Sequence, residues 1–241
     1  MKPFKSGHRR AQLVFVVFSI LIILSIISIA IIAIDIDVKN QVRQEIIDGE
    51  KVSQSEQEDS NDRVSLIGKI WMYTGIFATI PFLLWVYTAY ANLPALGVKD
   101  SKFSTGNAIG WFFVPVFNLF RPYQVMDEIW NGSNPNVAGD AHRTQNTSSS
   151  SALIGHWWGW FLFTLIVGIF ALIISRVDLA DYSDTWVGYI EYLQDFVIYR
   201  YWTIAFLSIA IVSCFTTALI VRAIDQWQEQ KHRLIGEMPG E

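Results

Sequence analysis

The side chains that could do chemistry are few and widely spaced. Two acid pairs come first, Asp35 with Asp37 and Asp127 with Glu128. Paired carboxylates hold divalent cations, or divide acid and base work between them. Asp35 and Asp37, however, sit where an apolar run ends, and a helix leaving lipid meets charge there in any case. Glu56, Glu58, Asp59 and Asp62 add acid downstream, yet the glycine and closing glutamate of an EF-hand loop are missing. His156 stands in the run His156-Trp157-Trp158-Gly159-Trp160, with no second histidine at helical spacing inside an apolar run. That pattern fits an aromatic belt at a membrane interface better than a haem or metal ligand. Cys214 is the single cysteine, which excludes an internal disulfide, a cysteine zinc cluster and a CxxC redox pair. Walker A, HExxH and GxSxG motifs are absent. No catalytic residue, metal ligand or cofactor is therefore expected.

The densest constellation is an apolar stretch with polar interruptions, Asn107 to Trp130. On an α-helix, Trp111, Pro115, Asn118 and Pro122 would share one face, at spacings of four, three and four residues. Pro115 lacks an N–H and would free a carbonyl near residue 111. Asn118 and the Trp111 indole could satisfy such freed groups or bind those of a partner. Pro122 suits the first turn of a new helix, with Tyr123, Asp127 and Trp130 on one face.

The elements that must position these residues follow from four runs without Asp, Glu, Lys or Arg: Ala11–Ile34, Ile70–Ala91, Ala152–Ser175 and Tyr201–Val221. About 20 residues cross a ~30 Å hydrocarbon core as helix, and lipid demands that every backbone polar group be satisfied within the element. The expected fold is all-α: an integral membrane protein with four transmembrane helices, a cytoplasmic interfacial or re-entrant helical hairpin, and an external amphipathic helix. Its parts are a basic cytoplasmic tail (1–10), an uncleaved signal anchor (11–34), an acidic external loop (35–66) and a second span (67–91). A cytoplasmic segment (92–151) holding the hairpin (105–130) leads to a third span (152–175), an external loop (176–200), a fourth span (201–221) and a cytoplasmic tail (222–241). Lys and Arg are densest in the two tails, which places both termini in the cytoplasm. Residues 107–120 are too few to cross alone before Arg121-Pro122.

Within the first loop, Val38, Val42 and Ile46 repeat every four residues and continue the first helix, while Ser53–Asp62 has no apolar residue and is expected as a solvated turn. In the second loop Trp186, Tyr189, Ile190, Leu193, Phe196 and Val197 form a helical stripe, capped by Ser183 or Asp184. This helix should pack on the membrane surface or against the first loop. The net charge of −4, with no basic stripe, gives no sign of nucleic-acid binding. No ionisable residue lies in the middle of a span. Pathways for protons or charged solutes normally need one.

Residues 85–133 resemble a known family. Trp85, Asn92, Gly97, Gly110-Trp111, Pro115, Asn118, Arg121-Pro122-Tyr123-Gln124, Trp130 and Ser133 are similar to the bacterial membrane proteins grouped as domain of unknown function 4328. A looser similarity extends over roughly residues 67–230, to Ile224-Asp225-Gln226-Trp227-Gln228. The resemblance implies a multi-pass bacterial membrane protein and brings no activity with it. The expected role is a non-enzymatic interaction or organising subunit of the bacterial cytoplasmic membrane. Its partners would be the bilayer and other membrane proteins or a second copy. A small channel or transporter of neutral solutes with 105–130 as a re-entrant gate, and a lipid-modifying enzyme using Asp127, Glu128 or the Asp35/Asp37 pair, are the alternatives.

Overall fold

A computed structural model of the chain describes residues 3–49, 54–136, 148–174 and 186–237. Its long elements are α1 (His8–Asp48), α2 (Gln54–Ala91), α5 (Ser148–Ile174) and α6 (Trp186–Glu237). Between α2 and α5 lie two short α-helices, α3 (Thr105–Gly110) and α4 (Arg121–Ser133), and two 3₁₀ turns, Leu93–Leu96 and Val116–Leu119. Among the described residues there is no β-strand. Each of the four long helices is long and apolar enough to cross a membrane.

The burial pattern inverts that of a water-soluble helix. On α1, Ile23, Ile26 and Ile27 face outward while Ser25 and Ser28 are buried. Lipid solvates the isoleucines, whereas a hydroxyl in an apolar medium must find a partner. Ser25 and Ser28 donate to the carbonyls of Leu21 and Leu24, and Ser25 also accepts the Trp71 indole N–H at 2.8 Å. Thr74 and Ser208 bond their own helices in the same way. Pro81 lies inside α2 without ending it.

The chain divides into two compact units. One comprises residues 20–75 and 161–213. Ile32, Ile36, Val64 and Leu207 form one apolar cluster there, and Val38, Val42 and Leu193 another, with Ile46, Tyr189 and Tyr192 against it. The stripe after the first span thus packs on the stripe of the second loop. Asp35 is fully buried and accepts from Arg200 Nε at 2.7 Å and Ser60 Oγ at 2.8 Å. Asp37 is exposed. Residues two apart on a helix point about 200° from each other, so this acid pair does not converge. Lys39 is buried beside them, 5.4 Å from the Phe196 ring centroid.

The other unit comprises residues 1–19, 76–160 and 214–241. It gathers the N-terminal segment, the end of α2, α3, α4, the start of α5 and the end of α6.

Three expectations change in detail. The acidic stretch 53–62 is helical from Gln54, because Ser60 and Val64 are anchored to Asp35 and the Ile32 cluster. The second-loop stripe is not a separate helix: it runs without a break into the fourth span and on to Glu237. Its proposed caps, Ser183 and Asp184, lie outside the described residues. Trp111, Pro115, Asn118 and Pro122 do not share one α-helix, since α3 stops at Gly110. The Pro115 ring would strike the carbonyl four residues earlier, that of Trp111, and the α-helix ends just before it.

Candidate functional site

Asn92 follows the last residue of α2 and is 2% exposed. Its side-chain amide pairs with the main chain of Lys5 in both directions: it accepts from the Lys5 N–H at 3.0 Å and donates to the Lys5 carbonyl at 2.8 Å. It also donates to Gln228 Oε1 at 3.1 Å. Gln228 Nε2 in turn donates to the Ala89 carbonyl and to Ser133 Oγ, each at 2.9 Å. One buried amide pair therefore ties the N-terminal segment, α2, α4 and α6 together. Lys231 adds a bond to the Gly132 carbonyl at 3.0 Å, and Trp130 meets Trp227 edge to face at 4.4 Å. Gly132 is the close approach in this contact: a Cβ there would lie 2.7 Å from Leu93 Cδ2.

A second lock holds the connection to α3. Tyr90 donates to Glu128 Oε2 at 2.8 Å and accepts from the Phe103 N–H at 2.9 Å. Glu128 Oε1 accepts from the Lys102 N–H at 2.7 Å. Both sides of residues 104–120 are thus fixed to the same end of α2. Gly97 closes the preceding 3₁₀ turn at φ +87°, a left-handed backbone conformation that glycine adopts without strain.

Out of this base projects an apolar tip. Ser104 caps α3 by accepting from the Asn107 N–H. Phe113 and Val116 are 68% and 70% exposed, and Val114, Leu119 and Phe120 are also outward. Arg121 stands behind the tip. Its guanidinium carbon is 5.4 Å from the ring centroids of Phe103 and Trp111, 5.6 Å from Phe120 and 5.8 Å from Phe117. Nη1 donates to Gln124 Oε1 at 2.9 Å. Trp158 of α5 donates its indole N–H to the Leu119 carbonyl at 3.0 Å. Among the described residues, three polar atoms in and behind this tip are buried without a hydrogen-bond partner: Trp111 Nε1, Asn118 Oδ1 and Arg121 Nε.

The family described as Domain of unknown function (DUF4328) matches residues 48–226. The chain belongs to the DUF4328 family. Neither the curated proteins nor the solved structures contain a match. Within the DUF4328 match lie Asn92, Tyr90, Glu128, Ser133 and the tip, whereas Lys5 and Gln228 fall outside it.

The residues singled out from the DUF4328 sequence divide into three groups. Asn92 and Trp130 enter the amide and tryptophan contacts with α6, and Trp85 is buried against Phe82, with ring centroids 6.1 Å apart. Arg121, Gln124 and Trp111 converge at the tip, with Asn118 in the same loop. Pro122 lies in the first turn of α4 and is buried, while Tyr123 is partly buried, and Pro115 precedes the 3₁₀ turn. No sequence pattern links Lys5, Tyr90, Glu128 and Gln228 to their partners. Their partners lie 87, 38 and 136 residues away, a distance at which periodicity carries no signal. Among the described residues no group of three His, Cys, Asp or Glu side chains could hold a metal ion.

Proposed function

We propose that this DUF4328 protein is a non-enzymatic organising subunit of the bacterial cytoplasmic membrane, crossing it four times with both termini in the cytoplasm. Residues 111–120 are its contact surface for an apolar helix of another membrane protein. The observation that carries this reading is the tip itself: exposed Phe113 and Val116 in front of three buried polar atoms that lack partners. A buried donor or acceptor left unpaired costs about 1–3 kcal/mol, a deficit that a small rearrangement of the tip on binding, toward polar side chains of the partner, would offset. Exposed aromatic and branched residues around such a centre match the make-up of binding hot spots. The Tyr90–Glu128–Lys102 lock supports a rigid base, so the tip is presented without a large ordering cost. The basic residues of the two tails support the cytoplasmic assignment.

The test is tagged purification in mild detergent with quantification of co-purifying membrane proteins. A stoichiometric partner should be retained by the native protein and lost in Phe113→Asn/Val116→Asn and in Trp111→Ala. Recovery of monomer or self-dimer alone, or equal partner recovery in these variants, would overturn the reading.

A further inference from the structure

We propose that the groove between the start of α1 and the end of α6 binds one anionic phospholipid, its phosphate at Arg222 and its upper acyl chain along Phe15 and Val16. The groove has a volume of about 470 Å³ and two chemically distinct ends. His8, Gln12, Arg222 and Gln226 line one end, and Phe15, Val16 and Ala218 the other. Phe15 and Val16 lie about one helical turn deeper along α1 than Gln12, some 5 Å at 1.5 Å per residue. The polar end therefore coincides with the boundaries of the first and fourth spans, and the apolar end lies inside them. That is the layout of a headgroup above its chain.

Charge selects among amphiphiles. Asp225 is the acid lining the groove, and it is held by His8 Nδ1 at 2.8 Å. Arg222 is exposed, and among the described residues no hydrogen bond or ion pair engages its guanidinium. Lys5, Arg9, Arg10, Lys231 and Arg233 stand on the same two segments, against Glu229 and Glu237 beyond Asp225. α1 begins at His8 with no acid of its own in the first turn, and Asp225 is the carboxylate that faces this end. A phosphate meets a fork-shaped donor at Arg222, an amide donor at Gln226, and the second N–H of Gln12, whose Nε2 also contacts His8 Nε2 at 3.0 Å. A free phosphate ion would use only half of the groove.

The experiment titrates the purified protein with phosphatidylglycerol and, separately, phosphatidylcholine, reading bound lipid by native mass spectrometry. One phosphatidylglycerol should be retained at roughly tenfold lower lipid concentration than phosphatidylcholine. Arg222→Gln should weaken phosphatidylglycerol binding roughly tenfold, as expected for loss of one charge-assisted pair, while Arg222→Lys keeps most of it. Val16→Trp, which fills the apolar end from an exposed position, should weaken binding by a similar factor. Equal binding of the two lipids would overturn the proposal, as would unchanged binding in both Arg222→Gln and Val16→Trp. Displacement of the lipid by millimolar inorganic phosphate would also overturn it, showing a site for the free ion.

Discussion

Replacing Asn92 by alanine removes one side chain and unfastens the N-terminal segment. The amide supplies both hydrogen bonds that hold the Lys5 main chain, at 3.0 and 2.8 Å, and a third to Gln228 at 3.1 Å. Gln228 keeps its own bonds to Ala89 and Ser133, so α2, α4 and α6 stay joined. The loss falls on residues 3–7, which retain the stack of Phe4 on His232 at 4.2 Å. Lys5 is exposed, so its freed groups can rehydrate, and each lost bond counts near the net ~1 kcal/mol of an ordinary hydrogen bond. The total is about 2 kcal/mol for local release, which corresponds to roughly 30-fold more frequent opening. Hydrogen–deuterium exchange of the detergent-solubilised protein should show the Lys5 amide exchanging roughly 30-fold faster, with the α4 amides almost unchanged. Asn92→Asp keeps the acceptor and loses the donor, and should fall between the two. An N-terminal peptide that exchanges within about threefold of the native rate in Asn92→Ala would refute the argument.

Other perturbations have equally specific outcomes. Arg200→Gln leaves the Asp35 carboxylate, whose side chain has no solvent exposure, with only the Ser60 hydrogen bond and the nearby Lys39 charge, and should lower stability by about 3 kcal/mol, the low end for a broken buried pair, read as a lower thermal midpoint. Asp35→Asn in the same background should recover part of the loss. Glu128→Gln leaves one acceptor where Tyr90 and Lys102 both donate, and should cost about 1–3 kcal/mol with faster exchange at the Lys102 amide. Burial first, and then the Asp127 charge, push the Tyr123 phenol above its ordinary 10.0. The unfolded chain therefore ionises first, and the native state loses stability as pH rises from 10.0 toward the folded value. A difference absorbance titration between the native protein and Tyr123→Phe should place this tyrosine above 10.0, and Asp127→Asn should lower it.

What could be read in the sequence was what local physics dictates. An apolar run of more than 20 residues has few fates other than a spanning helix, and the described residues of all four runs lie in long helices. Val38, Val42 and Ile46 announced their packing face through a four-residue repeat, and Leu193, Tyr189 and Tyr192 supplied its partner. Composition misled at 54–62, where polarity suggested a turn but Ser60 reaches Asp35 and Val64 joins a core cluster. Tertiary anchoring overrode local preference there. At the tip, helical spacing suggested a shared face for residues that a proline-induced stop places on different elements. Asn92 and Ser133 were visible as part of a recognisable pattern, but their common partner, Gln228, was not.

The amide clamp also has a bearing on biosynthesis. Lys5 is made before Asn92, which follows the second long helix, and Gln228 is added only after most of the last long helix has been translated. Until then Asn92 lacks one of its acceptors, and the carbonyl of Ala89 and the hydroxyl of Ser133 lack their shared donor. The clamp closes late in synthesis. A chain that ends before residue 228 leaves the Ala89 carbonyl and the Ser133 hydroxyl without the donor that joins them, so the clamp registers completion of the last helix.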